Sequence, residues 1–143
     1  MATLDVTVTV RAFEPADREQ VERLWARVFS DDPPTNAPGV MIDNKLRVQP
    51  ELFLVAIAND ALVGAVMAGF DGVRGWIHHL AVSPEYRRRG IATALVRAAE
   101  SGLGGMGCPK VNLQVRTTNT DVVAFYRRLG YDVEERVSMG RRL

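Results

Sequence analysis

Polar and β-branched apolar residues alternate along "VTVTVRAF" (6–13), which predicts a first strand. From Asp17 the period changes. Val21, Leu24, Trp25, Val28 and Phe29 fall at i, i+3, i+4, i+7 and i+8, the buried stripe of an amphipathic helix. "SDDPPTNAPG" (30–39) breaks regular structure with three prolines and a glycine. A short helix with Ile42 and Leu46 inward is predicted next, ending before Pro50. "LFLVAIA" (52–58), "LVGAVMAGF" (62–70) and "WIHHLAV" (76–82) read as strands. Their connections, at Asn59–Asp60 and at "DGVRG" (71–75), suit only antiparallel neighbours. After Gly90, Ile91, Ala94, Leu95 and Ala98 share one helical face. "KVNLQV" (110–115) predicts a strand, and "TDVVAFYRRL" (120–129) a helix with Gly130 as its C-terminal cap. "YDVEERVSM" (131–139) predicts a last strand or pair of strands.

The strand at 76–82, the helix from 90 to 103 and the strand at 110–115 form a β-α-β unit, whose crossover is long enough to join parallel neighbours. The expected fold is therefore of the α/β (α+β) class. A mixed, mostly antiparallel central sheet carries a parallel β-α-β core and helices on both faces. A chain of 143 residues is the size of one domain, expected over 1–143.

Composition narrows the functional classes. Eighteen basic and 17 acidic residues leave a formal charge of +1, so an electrostatic function has to be local. Nucleic-acid binding through Arg87–Arg89, Arg127 and Arg128 is disfavoured, because no stacking aromatics interleave with the basic run. Cys108 is the single cysteine, which excludes an intrachain disulfide and a cysteine-based zinc site. No metal is expected. Neither a signal peptide nor a membrane span is apparent, so a cytoplasmic protein is expected, as a monomer or a homodimer.

One stretch resists a bland reading. "VSPEYRRRGIATAL" (82–95) stacks three arginines at the start of a helix, on the wrong side of its dipole. A solvated basic turn is one account of it. The other is an anion site. A strand running through a turn into a helix N-terminus leaves N–H groups without intrahelical partners. Gly90 lets a ligand approach the backbone, Ala92 keeps the first turn small, and Arg87, Arg88 and Arg89 supply counter-charge. Neither a Walker loop nor the GxGxxG dinucleotide fingerprint is present.

"LAVSPEYRRRGIATAL" resembles the central motif of the GNAT N-acetyltransferases, Arg/Gln-x-x-Gly-x-Gly/Ala after a strand, with Arg87, Gly90 and Ala92 in the matching places. "LQVRTTNTDVVAFYRRLGY" (113–131) resembles the family's second block through Arg116, Asn119, Tyr126, Gly130 and Tyr131. The pattern is similar to small bacterial members such as the ribosomal-protein alanine acetyltransferases. The resemblance implies acetyl-CoA as co-substrate and a primary amine of a small molecule, protein or peptide as acceptor. It implies pyrophosphate binding by backbone N–H groups of Arg88, Arg89, Gly90, Ile91 and Ala92, with Thr93. It also implies strand-like pairing of the pantetheine arm with Leu80, Ala81 and Val82, a form of β-augmentation. By the same resemblance Tyr126 is the acid for the departing thiolate, set against plain helix-face packing. Asn119 is a helix N-cap, a cofactor contact, or both.

The general base is where the chain departs from its relatives. Trp76 and Gln114 stand where family members carry glutamates. Alternation puts Trp76 and His78 on one face of the strand and His79 on the other. His78 thus points where relatives aim a carboxylate, and its ordinary pKa near ~6.5 suits base work. A histidine with a satisfied hydrogen bond is the competing account. Asp43 and Glu51 are weaker candidates. A non-catalytic CoA-binding module that has lost its base is the second functional reading. The acceptor-side segments, 17–48 and 131–143, carry no recognisable specificity code, and 31–39 is either a lid or a plain loop.

Overall fold

A computed structural model of the chain describes residues 7–30 and 37–143. The first residue of the predicted opening strand and most of the proline-rich segment, residues 31–36, lie outside the described residues. Contacts divide the chain into two units, Met1–Leu113 and Gln114–Leu143.

The first unit is built on a five-stranded sheet: β1 (Val8–Ala12), β2 (Phe53–Ala58), β3 (Ala61–Phe70), β4 (Gly75–Val82) and β5 (Val111–Leu113). Strand order follows chain order; the first three pairings are antiparallel and β4–β5 is parallel. Asn59 and Asp60 both adopt positive φ, 51° and 60°, in the two-residue turn that joins β2 to β3. That is the left-handed pair whose twist matches a hairpin. At the next turn Asp71 Oδ1 accepts hydrogen bonds from the Val73 and Arg74 amides, both at 2.7 Å.

Helices α1 (Arg18–Val28) and α2 (Pro38–Leu46) cover one face, and α3 (Ile91–Gly105) the other. On the first face Val21, Leu24, Trp25 and Ile42 pack with Phe13, Phe53, Val55, Ala65, Met67 and Ala81. Ile42 is fully buried, whereas Leu46, expected inward, is 37% exposed. Leu46 is the last residue of α2. On the opposite face Gly64 keeps the sheet close to α3: a Cβ there would lie 2.9 Å from Leu95 Cδ1 and 3.1 Å from the Ala81 carbonyl. Buried Asp17 accepts hydrogen bonds from both terminal nitrogens of Arg11, at 2.7 and 3.0 Å, which ties β1 to the start of α1. That bond is the main reason its carboxyl titrates below the usual range.

In the second unit, α4 (Thr120–Arg128) ends in a Schellman motif. Gly130, at φ 100°, donates to the Arg127 carbonyl, and Tyr131 donates to the Tyr126 carbonyl. The Tyr126 and Tyr131 rings meet edge to face at 5.5 Å across the cap. The strand expected over 131–139 does not form. Val133, Val137 and Met139 are 65%, 87% and 90% exposed, and a strand without a ladder partner gains too little to persist.

Candidate active site

The register of β3 on β4 sets the geometry of the site. Met67 pairs with His78, but Ala65 pairs with Ala81, so β4 holds one residue more than β3 over this stretch. The extra residue is accommodated at His79, whose φ is +52°. This is a β-bulge, and it overturns the simple alternation expected for "WIHHLAV". His78 and His79 do not face opposite ways. Both line a cleft on the α1/α2 side of the sheet. The His79 ring packs edge-on to Trp25 at 5.3 Å and lies 4.5 Å from Phe29. The His78 ring lies nearly parallel to Trp76, 6.5 Å away.

The cleft has a volume of about 590 Å³, the size of a small-molecule site. Its walls are α2 with the residues that follow it, the end of β3, and the first half of β4. Although His78 keeps much of its ring open to solvent, the protein crowds it on the cleft side. Desolvation lowers its pKa, with the His79 and Lys45 charges acting in the same direction. Lys45, from α2, donates to the Ala68 carbonyl. Burial lowers its pKa, partly offset by Glu51. Gln49, in the left-handed region at φ 51°, turns its amide onto β3. Its Nε2 donates to the Phe70 carbonyl at 2.9 Å, and its Oε1 accepts from the Phe70 amide at 2.8 Å. Sequence reasoning missed both Lys45 and Gln49. The one available signal was a polar pair flanking the end of a short helix, which is also what a plain helix end looks like.

Beyond the bulge, β4 loses its outer neighbour. Parallel pairing with β5 covers only Gly75, Trp76 and Ile77, so Leu80, Ala81 and Val82 lack a strand partner on that side among the described residues. A short helical turn, Pro84–Tyr86, leads into the arginine run. Arg88 and Gly90 both have positive φ, 63° and 80°, on either side of Arg89. Alternating backbone hands of this kind fold a chain into a concave nest of N–H groups. Gly90 is also the N-cap of α3 and has no side chain with which to satisfy the first-turn donors of Ile91, Ala92 and Thr93. The Arg87 side chain lies back toward the Val82 carbonyl at 3.4 Å, and the Arg89 guanidinium sits 5.4 Å above the Tyr86 ring. Glu85 pairs with Arg27 of α1 through two contacts, 3.2 and 3.0 Å, fastening the turn to the helix layer. Open strand edge, concave turn and uncapped helix suit a long ligand ending in a diphosphate.

The remaining expected residues belong to other settings. Asp43 is ion-paired with Arg18, and Glu51 is exposed near Lys45. In the second unit Tyr126 is buried, and burial pushes its phenol up to about 12. Asn119 occupies the N-cap position of α4, but its side chain makes no capping hydrogen bond; its backbone carbonyl accepts from Val123 at 3.2 Å. Gln114 donates to Ser138 Oγ at 2.7 Å. Among the described residues, no group of three His, Cys, Asp or Glu side chains could hold a metal ion, and no helix is long and apolar enough to cross a membrane.

Comparison with known proteins adds an independent line. The family model described as Acetyltransferase (GNAT) family matches residues 14–131. An acetyltransferase of Yersinia pestis (strain Pestoides F) is 42% identical over 134 residues, 94% of either chain. Ard1 from Thermoplasma volcanium superposes with a TM-score of 0.79 at 28% identity, over 89% of this chain and 84% of its own. The aminoglycoside N-acetyltransferase AAC(6')-Iy in complex with CoA has a TM-score of 0.81 over 99% of each chain, and at 19% identity it is alike in fold.

Proposed function

The chain belongs to the acetyltransferase (GNAT) family and is an acetyl-CoA-dependent acetyltransferase, and we propose that it acetylates a primary amine seated in the cleft beside His78. The observation that carries this reading is the bulge at His79. It turns both histidines into a ligand-sized cleft at the point where the neighbouring β4 edge falls open.

Acetyl-CoA supplies an activated thioester carbonyl. On this reading the nest from Arg88 through Ala92, with Arg87, Arg89 and Thr93 beside it, receives its diphosphate. The open backbone of Leu80, Ala81 and Val82 receives its pantetheine arm, with Asn119 as a further contact. Holding both reactants is worth much of the barrier, since effective molarities reach ~10⁵–10⁸ M. The amine nitrogen attacks the thioester carbon directly, the C–N bond forms and the C–S bond breaks. His78, whose lowered pKa favours the neutral ring, accepts the proton that the amine nitrogen sheds as the C–N bond forms. A backbone N–H near Val82 polarises the carbonyl oxygen. Tyr126 donates its phenolic proton to the leaving sulfur; burial raises the phenol to about 12, so the proton is in place when the sulfur departs.

Two measurements test the halves separately. Acetyl-CoA raises the melting temperature of the wild type, and Arg88→Glu abolishes the rise; no shift at millimolar ligand would remove the co-substrate site from the arginine turn. Release of CoA thiol across a panel of amines falls about 10²–10⁴-fold in Tyr126→Phe and in His78→Gln while acetyl-CoA binding persists. Unchanged turnover in either variant removes that residue from the chemistry.

A further inference from the structure

The cleft has a chemical bias that the transfer reaction does not require. Its cation is built in: Lys45 is half-buried, lines the wall, and spends one of its three N–H donors on the Ala68 carbonyl. Gly69, opposite Trp76 in the β-ladder, would carry a Cβ 3.7 Å from Lys45 Nζ and 3.3 Å from Gln49 Oε1. A side chain there would press on the Gln49 amide and only touch the ammonium. A half-buried ammonium is costly unless an anion meets it, and Glu51, outside the lining, offsets only part of that cost.

The cleft offers a cationic ligand little. Asp71 is the one carboxylate among its described lining residues, and its oxygens are already engaged. Oδ1 accepts from the Val73 and Arg74 amides, and Oδ2 faces Trp76 Nε1 at 3.3 Å. Apart from the uncharged Asn44 and Gln49 and the two histidines, the described lining is largely apolar, with Met41, Val48, Met67, Phe70 and the face of Trp76.

We propose that the acceptor is a small amine bearing a carboxylate and an apolar body, of the apolar α-amino acid class, whose carboxylate is held by Lys45 and whose amine is turned toward His78. This rests on the reading of the cleft as the acceptor site. It excludes polyamines and aminoglycoside-like polycations as preferred acceptors. Lys45 acts here as a specificity residue, a point charge that selects the anion.

Matched pairs of acceptors provide the test: phenylalanine, methionine and leucine, each against its carboxamide, with spermidine as a polycation. Wild type is expected to favour the acid over the amide in kcat/KM by about 10- to 100-fold in at least one pair, the range for a hydrogen bond to a charged group. Lys45→Met is expected to erase that ratio by raising KM for the acid alone, and Lys45→Arg to restore part of it. A binding readout separates this proposal from the catalytic one. N-acetylphenylalanine should bind more tightly than N-acetylphenylalaninamide by calorimetry, in wild type and in His78→Gln, and without preference in Lys45→Met. Turnover lost with that binding pattern intact overturns the catalytic assignment and leaves carboxylate recognition standing. Spermidine or the amides matching the acids, or a preference that survives Lys45→Met, overturns the proposal.

Discussion

His79 sits in a strand with its backbone in the left-handed region, a conformation costing a side-chain-bearing residue about 1–3 kcal/mol that its surroundings must offset. Trp25 and Phe29 hold the ring from the α1 side. The strain turns the adjacent histidine into something period-2 alternation does not provide, a neighbour on the same wall. For His78 the consequence can be measured. Desolvation and two cationic neighbours disfavour its charged form, so its titration lies below the ordinary ~6.5. If His78 is the base, the acidic limb of kcat/KM falls below pH 6.5. Removing one repelling charge in Lys45→Met moves that limb upward, toward 6.5. A limb that stays fixed or moves down sinks the assignment.

Between elements, contact distance decides which glycines are replaceable. Gly64 lies where α3 presses on β3, so Gly64→Ala is expected to cost about 1–3 kcal/mol by overpacking, because the Ala81 carbonyl cannot step aside. Gly104, near the end of α3 with nothing within 4 Å of a built Cβ, should gain up to about 1 kcal/mol as alanine. Urea unfolding of both variants checks the contrast; equal effects would mean that α3 does not bear on Gly64. The same distinction explains what was legible in the sequence. Hairpin turns, the α1 stripe and the arginine–glycine motif are local, and local chemistry fixes them. Asn59–Asp60, Val21–Leu24–Trp25 and Gly90 all do what their residue types favour. The bulge at His79 depends on how β4 registers against β3, and Lys45 matters only because α2 lies over the end of β3. Neither is written in a short window. Residues 131–139 show the converse error: "YDVEERVSM" suggests a strand or pair of strands, but a strand exists only with a partner.

For the molecule as a whole, the residues singled out above are divided between the two units. The nest at Arg88–Gly90, the open edge of β4 and the histidine cleft all lie in the first unit, whereas Tyr126 and Asn119 belong to the second. The match to the family model, residues 14–131, draws on both. Strand order in the sheet follows chain order without exception. Time therefore enters the architecture. The β2–β3 and β3–β4 pairs each close across a tight turn and can form while little else is ordered, whereas β1 must wait until the segment carrying both α1 and α2 has been gathered in. The central meander is expected to be the nucleus, with the slowest amide exchange, and β1 the first ladder to open. Equal protection across β1 and β3 would contradict that order. If it holds, the cleft wall on β3 and β4 is laid down early, and the α2 segment that brings Lys45 closes over it afterwards.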